Sequence, residues 1–132
     1  MEKLNCNSLM IGDFVLDGNV YAQVTSITCD GNIETTHNEH SNIELIEPIP
    51  LTPEILEKNG FILKTDGWLW CKEKGIDDKN YIFIQFRKGC DEVRLLELNF
   101  VNKVLAKYEQ IHYVHELQHA LRLCNVNKEI IL

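Results

Sequence analysis

Asp-Gly-Asn occurs at positions 17–19 and again at 30–32, and no other feature restricts the fold of this chain as tightly. Glycine and asparagine tolerate the positive φ of a two-residue hairpin turn, so each triplet predicts antiparallel strands on either side. The flanks agree. Ile11 to Leu16 reads as a first strand. Val20, Ala22 and Val24 then alternate with polar residues, as a half-buried strand does, while Ile27 falls out of phase and predicts a bulge. Ile33 to Thr36 and Ile43 to Ile46 follow, separated by a polar loop from His37 to Asn42. These short strands predict a small antiparallel barrel of the Src-homology-3 kind over residues 1–50. Such a barrel is a generic binding platform that does not name its ligand.

Pro48 and Pro50 stop that sheet, because proline cannot donate to a ladder. Thr52-Pro53-Glu54 then starts a helix: threonine caps it, proline suits the first turn, and the acid favours the positive end. Asn59-Gly60 ends it. Strands are expected at Phe61–Lys64, Trp68–Lys72, Tyr81–Arg87 and Val93–Leu98, the first two around an Asp66-Gly67 turn. Phe100 to Tyr108 fits helix or strand spacing. As a helix its apolar stripe would oppose the next one, so a strand is preferred. Tyr113, Val114, Leu117, Ala120, Leu121 and Cys124 share one side of a final helix that Asn125 caps, and Glu129 to Leu132 reads as an added edge strand. The class expected is α+β: the N-terminal barrel, then over residues 51–132 an antiparallel meander covered by the C-terminal helix, the two sharing one core.

Charge is unevenly spread. Met1 to Glu57 holds ten acidic residues against Lys3 alone, and the whole chain has a formal net charge of −7. A surface this acidic repels phosphate backbones, which argues against nucleic-acid partners. No apolar run approaches the roughly 20 residues of a membrane-spanning helix, and MEKLNCNSLMIGDF lacks the apolar core of a secretory leader. The five cysteines are scattered, with no C-x-x-C pair, as in a reducing compartment. A cytoplasmic location is expected.

His115-Glu116-Leu117-Gln118-His119 matches H-E-x-x-H, in which two imidazoles one helical turn apart hold zinc and the carboxylate activates a bound water. His112 lies on the same side of the wheel and is the candidate third ligand. Catalytic zinc needs three protein ligands and an open position. Where the pattern runs on to a glycine and a third histidine, this chain has Arg122 and Asn125; in the other branch a later glutamate serves, and Glu129 falls in the apparent terminal strand. The competing reading is a solvated polar face opposite the apolar stripe, favoured by a helix C-terminus that welcomes cations. His37 and His40 form a second pair, in a loop. Trp68 with Trp70, and Tyr81 with Phe83, share strand faces and mark a possible aromatic surface.

Three blocks, IGDFV (Ile11 to Val15), LTPEILEKNGF (Leu51 to Phe61) and YVHELQHALRLC (Tyr113 to Cys124), resemble a family of short uncharacterised proteins from gut anaerobes, their phages and their mobile elements. The resemblance implies a phage-borne accessory protein and transfers no catalytic residue. The function expected is therefore a non-enzymatic binding module acting on a host protein or a small-molecule ligand, with no cofactor. The alternative is a zinc-dependent hydrolase built on His115, Glu116 and His119. Duplex DNA or RNA titrated at physiological salt is expected to show no sub-micromolar, salt-sensitive binding in an anisotropy assay; such binding would contradict the charge argument.

Overall fold

The Asp17-Gly18-Asn19 turn closes as its residues require. In the computed structural model, which describes residues 8–28, 32–37, 41–42, 46–65, 69–73, 80–86, 93–99, 103–126 and 129–132, Gly18 and Asn19 have φ of 58° and 69°. Positive φ at both central residues is the type I′ hairpin geometry. It joins β1 (Phe14–Asp17) to β2 (Val20–Ile27), with Leu16 opposite Tyr21. β3 (Asn32–Thr35), β4 (Ser41–Asn42) and β5 (Ile46–Glu47) complete a five-stranded antiparallel sheet in the order β4-β3-β2-β1-β5. Asp30, Gly31 and residues 43–45 lie outside the described residues.

The bulge read from Ile27 is present. Val24 pairs with Thr35 and Ser26 with Glu34, so Thr25 is the extra residue. The shift brings Ile27 opposite Ile33, where it packs against the core of Leu9, Val15, Val24, Ile33 and Ile46. Two carboxylates lie inside this unit. Asp13 is fully buried and its Oδ2 accepts the Met10 amide at 2.8 Å, fixing the turn into β1. Asp17 accepts the Thr35 hydroxyl at 2.7 Å. The first unit comprises Met1–Pro50 with Tyr113–His115; the second comprises Leu51–His112 with Glu116–Leu132.

The second unit starts with α1 (Pro53–Lys58), capped by the Thr52 hydroxyl, which accepts the Ile55 amide at 3.3 Å. Gly60, at φ 85°, takes the left-handed position after it, and the Phe61 amide returns to the Leu56 carbonyl. β6 (Ile62–Thr65), β7 (Leu69–Glu73), β8 (Tyr81–Phe86), β9 (Val93–Leu98) and β10 (Val104–Tyr108) form an antiparallel meander in sequence order. Residues directly opposite in such a sheet share a face. One face carries Ile82, Ile84, Leu95 and Glu97, all buried. Tyr108, on the same face opposite Leu95, hydrogen-bonds Cys124 just beyond α2 (Val114–Leu123). Lys72, on that face too, donates to the Asn59 carbonyl at 2.8 Å and lies over the Phe61 ring. Both helices therefore cover the same side of the sheet.

α2 buries the stripe its spacing predicts, with Val114, Leu117, Ala120, Leu121 and Cys124 all inside. It ends at Asn125, φ 64°, with the Val126 amide on the Leu121 carbonyl at 2.8 Å. The expected terminal strand is not one. Glu129 to Leu132 has no strand pairing; the Asn59 side chain takes both backbone groups of Ile131 instead. No helix among the described residues is long and apolar enough to cross a membrane. Leu117→Ala is expected to lower unfolding free energy by about 2–5 kcal/mol in urea titrations, because the vacated side chain is fully buried.

Candidate functional site

The H-E-x-x-H residues lie on the first two turns of α2, and the fold uses them in ways the sequence conceals. The first amide of the helix, on Val114, donates to the Ile49 carbonyl at 2.8 Å. Glu116 reaches back one turn: its Oε1 accepts the His112 amide at 3.0 Å. This resembles the return arm of a capping box, in which an acid in the first turn satisfies an amide just outside the helix. The His112 ring is held in turn by Gln110, with Nε2 2.7 Å from Oε1.

His115 corrects the expectation of a solvated histidine face. It is only 3% exposed, and its ring stacks on Tyr113 at 5.9 Å between centroids and 10° between planes. Gln118 is buried as well, so α2 is enclosed well beyond its apolar stripe. His119 stays half-buried. The motif also straddles the division of the chain, with His115 grouped in the first unit and Glu116 and His119 in the second. Among the described residues, no three His, Cys, Asp or Glu side chains gather as a metal ion would need. His112, His115 and His119 supply imidazoles, which are ordinary zinc donors, but they are not gathered as a three-ligand group among the described residues.

Of the other candidates, His37 is exposed and its amide donates to the Thr35 hydroxyl, while His40 lies outside the described residues. Trp68 and the side chain of Trp70 do too. Tyr81 and Phe83 share the face of the second sheet opposite to the helices, half-buried, with ring centroids 6.4 Å apart.

That opposite face is the feature the sequence reading left undeveloped. Ile62, Cys71, Phe83, Leu96 and Lys107 stand side by side across all five strands, one residue from each. Beside this rung, Tyr81, Leu98 and Val104 form a second apolar one. Ile62 is 63% exposed and Val104 51%; Phe83, Leu96, Tyr81 and Leu98 are half-buried, and Cys71 between Ile62 and Phe83 is buried. An antiparallel sheet with one solvated face normally alternates apolar with polar. Tyr81-Ile82-Phe83-Ile84 and Leu95-Leu96 do not, and that was the available signal.

A polar cluster on the helix side was also missed. Glu97 follows Val93 and Leu95 at inward positions and is 8% exposed. Burial first, then the nearby Cys124 and Glu97 and a side-chain hydrogen bond with Cys124, hold the Tyr108 phenol above its ordinary pKa of 10.0. Comparison with protein-family models, with curated proteins and with solved structures finds no match.

Two outcomes follow from this geometry. Glu116→Gln keeps an oxygen for the His112 amide and is expected to change stability by less than about 0.5 kcal/mol, whereas Glu116→Ala costs about 0.5–2 kcal/mol in thermal unfolding. For Tyr108, a phenol raised in the folded state binds its proton longer than in the unfolded chain. Its share of stability is complete below about pH 10 and declines as pH rises beyond that. The Tm of wild type is expected to fall more steeply above pH 10 than that of Tyr108→Phe.

Proposed function

We propose that this chain is a non-catalytic binding protein, and that the helix-free face of the second sheet meets its partner. The observation supporting this most directly is the apolar rung from Ile62 through Cys71 and Phe83 to Leu96, flanked by Tyr81, Leu98 and Val104. Contiguous apolar surface with aromatic rings is the composition of the central part of protein interfaces. A sheet face exposed at its edge strands suits another protein better than a small molecule, which favours concave pockets. The resemblance to phage and mobile-element proteins makes a host protein the partner of choice. Lys107, at the end of the rung, pairs with Glu109 at 3.0 Å and gives that margin a charged pair.

The order of the first sheet, with β1 between β2 and β5, supports reading it as a small barrel of the Src-homology-3 kind. The hydrolase alternative draws on His115 and His119 standing one turn apart on α2. It is the weaker reading, because the carboxylate meant to activate water is already engaged by the His112 amide.

Ile62→Lys with Leu96→Lys tests the surface. The tagged double variant is expected to keep the wild-type Tm within a few degrees, yet to lose at least tenfold of whichever host protein the wild type captures. Glu116→Gln is expected to retain that capture. Capture unaffected by the double substitution, or abolished by Glu116→Gln, would count against the proposal.

A further inference from the structure

Glu47, Leu16 and Tyr21 stand opposite one another across β5, β1 and β2, in one rung of the first sheet. The core of that unit takes Val15, Val24, Ile33 and Ile46 from the other face, so this rung lies on the outer one. Glu47 is exposed, Tyr21 is 58% exposed and Leu16 is half-buried. Phe14, further along β1 on the same face, is half-buried too. Gln23, opposite Phe14, donates from its side chain to the Gly12 carbonyl at 3.2 Å. That bond draws the turn carrying the exposed Ile11 beside the same face. Thr28, beyond the far end of β2, lies outside it.

Charge selects what suits this surface. The described residues of the first unit contain no Lys or Arg, and Lys3 is the only one in the sequence before Lys58. Within its own unit, the Glu47 carboxylate therefore has almost no counter-charge to draw on. A partner that covers the apolar part of the rung also desolvates that carboxylate, which costs free energy unless the partner brings a cation. Arginine meets both demands. Its methylene stem rests on aliphatic surface such as Leu16, and its planar guanidinium takes a carboxylate in a bidentate pair. The Tyr21 ring, on the other side of Leu16, offers its face to a second cation or to an apolar neighbour.

We propose that the outer face of the first sheet, centred on Glu47, Leu16 and Tyr21, docks a segment of a partner protein in which arginine alternates with apolar residues. Complementary charge sets the choice of partner and speeds encounter, while Leu16, Tyr21 and Phe14 supply the apolar contact. This surface is distinct from the face of the second sheet, and neither assignment requires the other. With both in use, the chain is a bivalent adaptor whose two sheets hold different partners.

The test uses the full chain and a fluorescein-labelled peptide of sequence Leu-Arg-Trp-Arg-Leu, titrated by anisotropy at low ionic strength. Wild type is expected to bind it at least tenfold more tightly than Leu-Glu-Trp-Glu-Leu or Ser-Arg-Ser-Arg-Ser. Tyr21→Ser and Glu47→Lys are each expected to weaken binding at least fivefold. Glu57→Lys, the same change of net charge on an exposed residue of α1, should leave it within about twofold. Tyr21 and Glu47 are exposed, so both variants should keep the wild-type Tm within a few degrees; if Glu47→Lys does not fold, Glu47→Gln replaces it, with at least a threefold loss expected. Equal binding of the serine peptide, or equal loss in Glu57→Lys and Glu47→Lys, would reduce the effect to bulk charge and overturn the proposal. So would undiminished binding by folded Tyr21→Ser, no binding by wild type, or self-association of wild type that Tyr21→Ser abolishes, which would give the face to a second copy.

Discussion

The second sheet is apolar on both faces, and the rest of the unit is arranged around that constraint. Its strands leave Ile82, Ile84, Val93 and Leu95 on one side and Cys71, Phe83, Leu96 and Leu98 on the other. Water exacts about 25 cal/mol for each Å² of apolar surface left exposed. On the first side α1 and α2 cover that surface, and Leu56, Leu117 and Leu121 on those helices are buried. On the second side the exposure persists, from Ile62 at one edge strand to Val104 at the other. This exposed apolar surface is what the proposed binding role rests on.

The same frame explains why a protease-like signature stands on a helix that carries no complete ligand set among the described residues. The entry into α2 needs amides satisfied, and Glu116 satisfies one of them for His112. His115 fills space against Tyr113. Glu116 and His115 thus each have a structural use at their positions. One oxygen of the Glu116 carboxylate accepts that amide, and Tyr113 covers a face of the His115 ring rather than its in-plane nitrogens.

Local chemistry in this chain was legible where a backbone rule is strict. The I′ turn at Gly18-Asn19, the cap at Thr52, the stop at Gly60 and the left-handed Asn125 could each be read from a few neighbouring residues, because positive φ and orphan amides admit few solutions. The bulge near Thr25 was legible for a similar reason, through the misplaced Ile27. What escaped reading depended on distant parts of the chain. Whether His115 faces water is decided by Tyr113 and by how deeply α2 is enclosed, not by the helix wheel. The Ile130-Ile131 pair reads as a strand because strands and other buried extended segments share an apolar composition; the Asn59 hydrogen bonds, from 72 residues away, separate the two. The apolar rung was half legible, in the failure of Tyr81 to Ile84 to alternate, but its continuity needed the register of five strands.

Site-specific photocrosslinking tests the central claim most directly. A photoreactive phenylalanine analogue placed at Phe83, in cells that naturally carry the protein, should yield a discrete adduct with one partner protein. The same group at Thr28, an exposed residue of the first unit, should yield none. Diffuse labelling of equal intensity at both positions, or no adduct at Phe83 from a folded and expressed protein, would contradict the assignment of this sheet face as the binding surface.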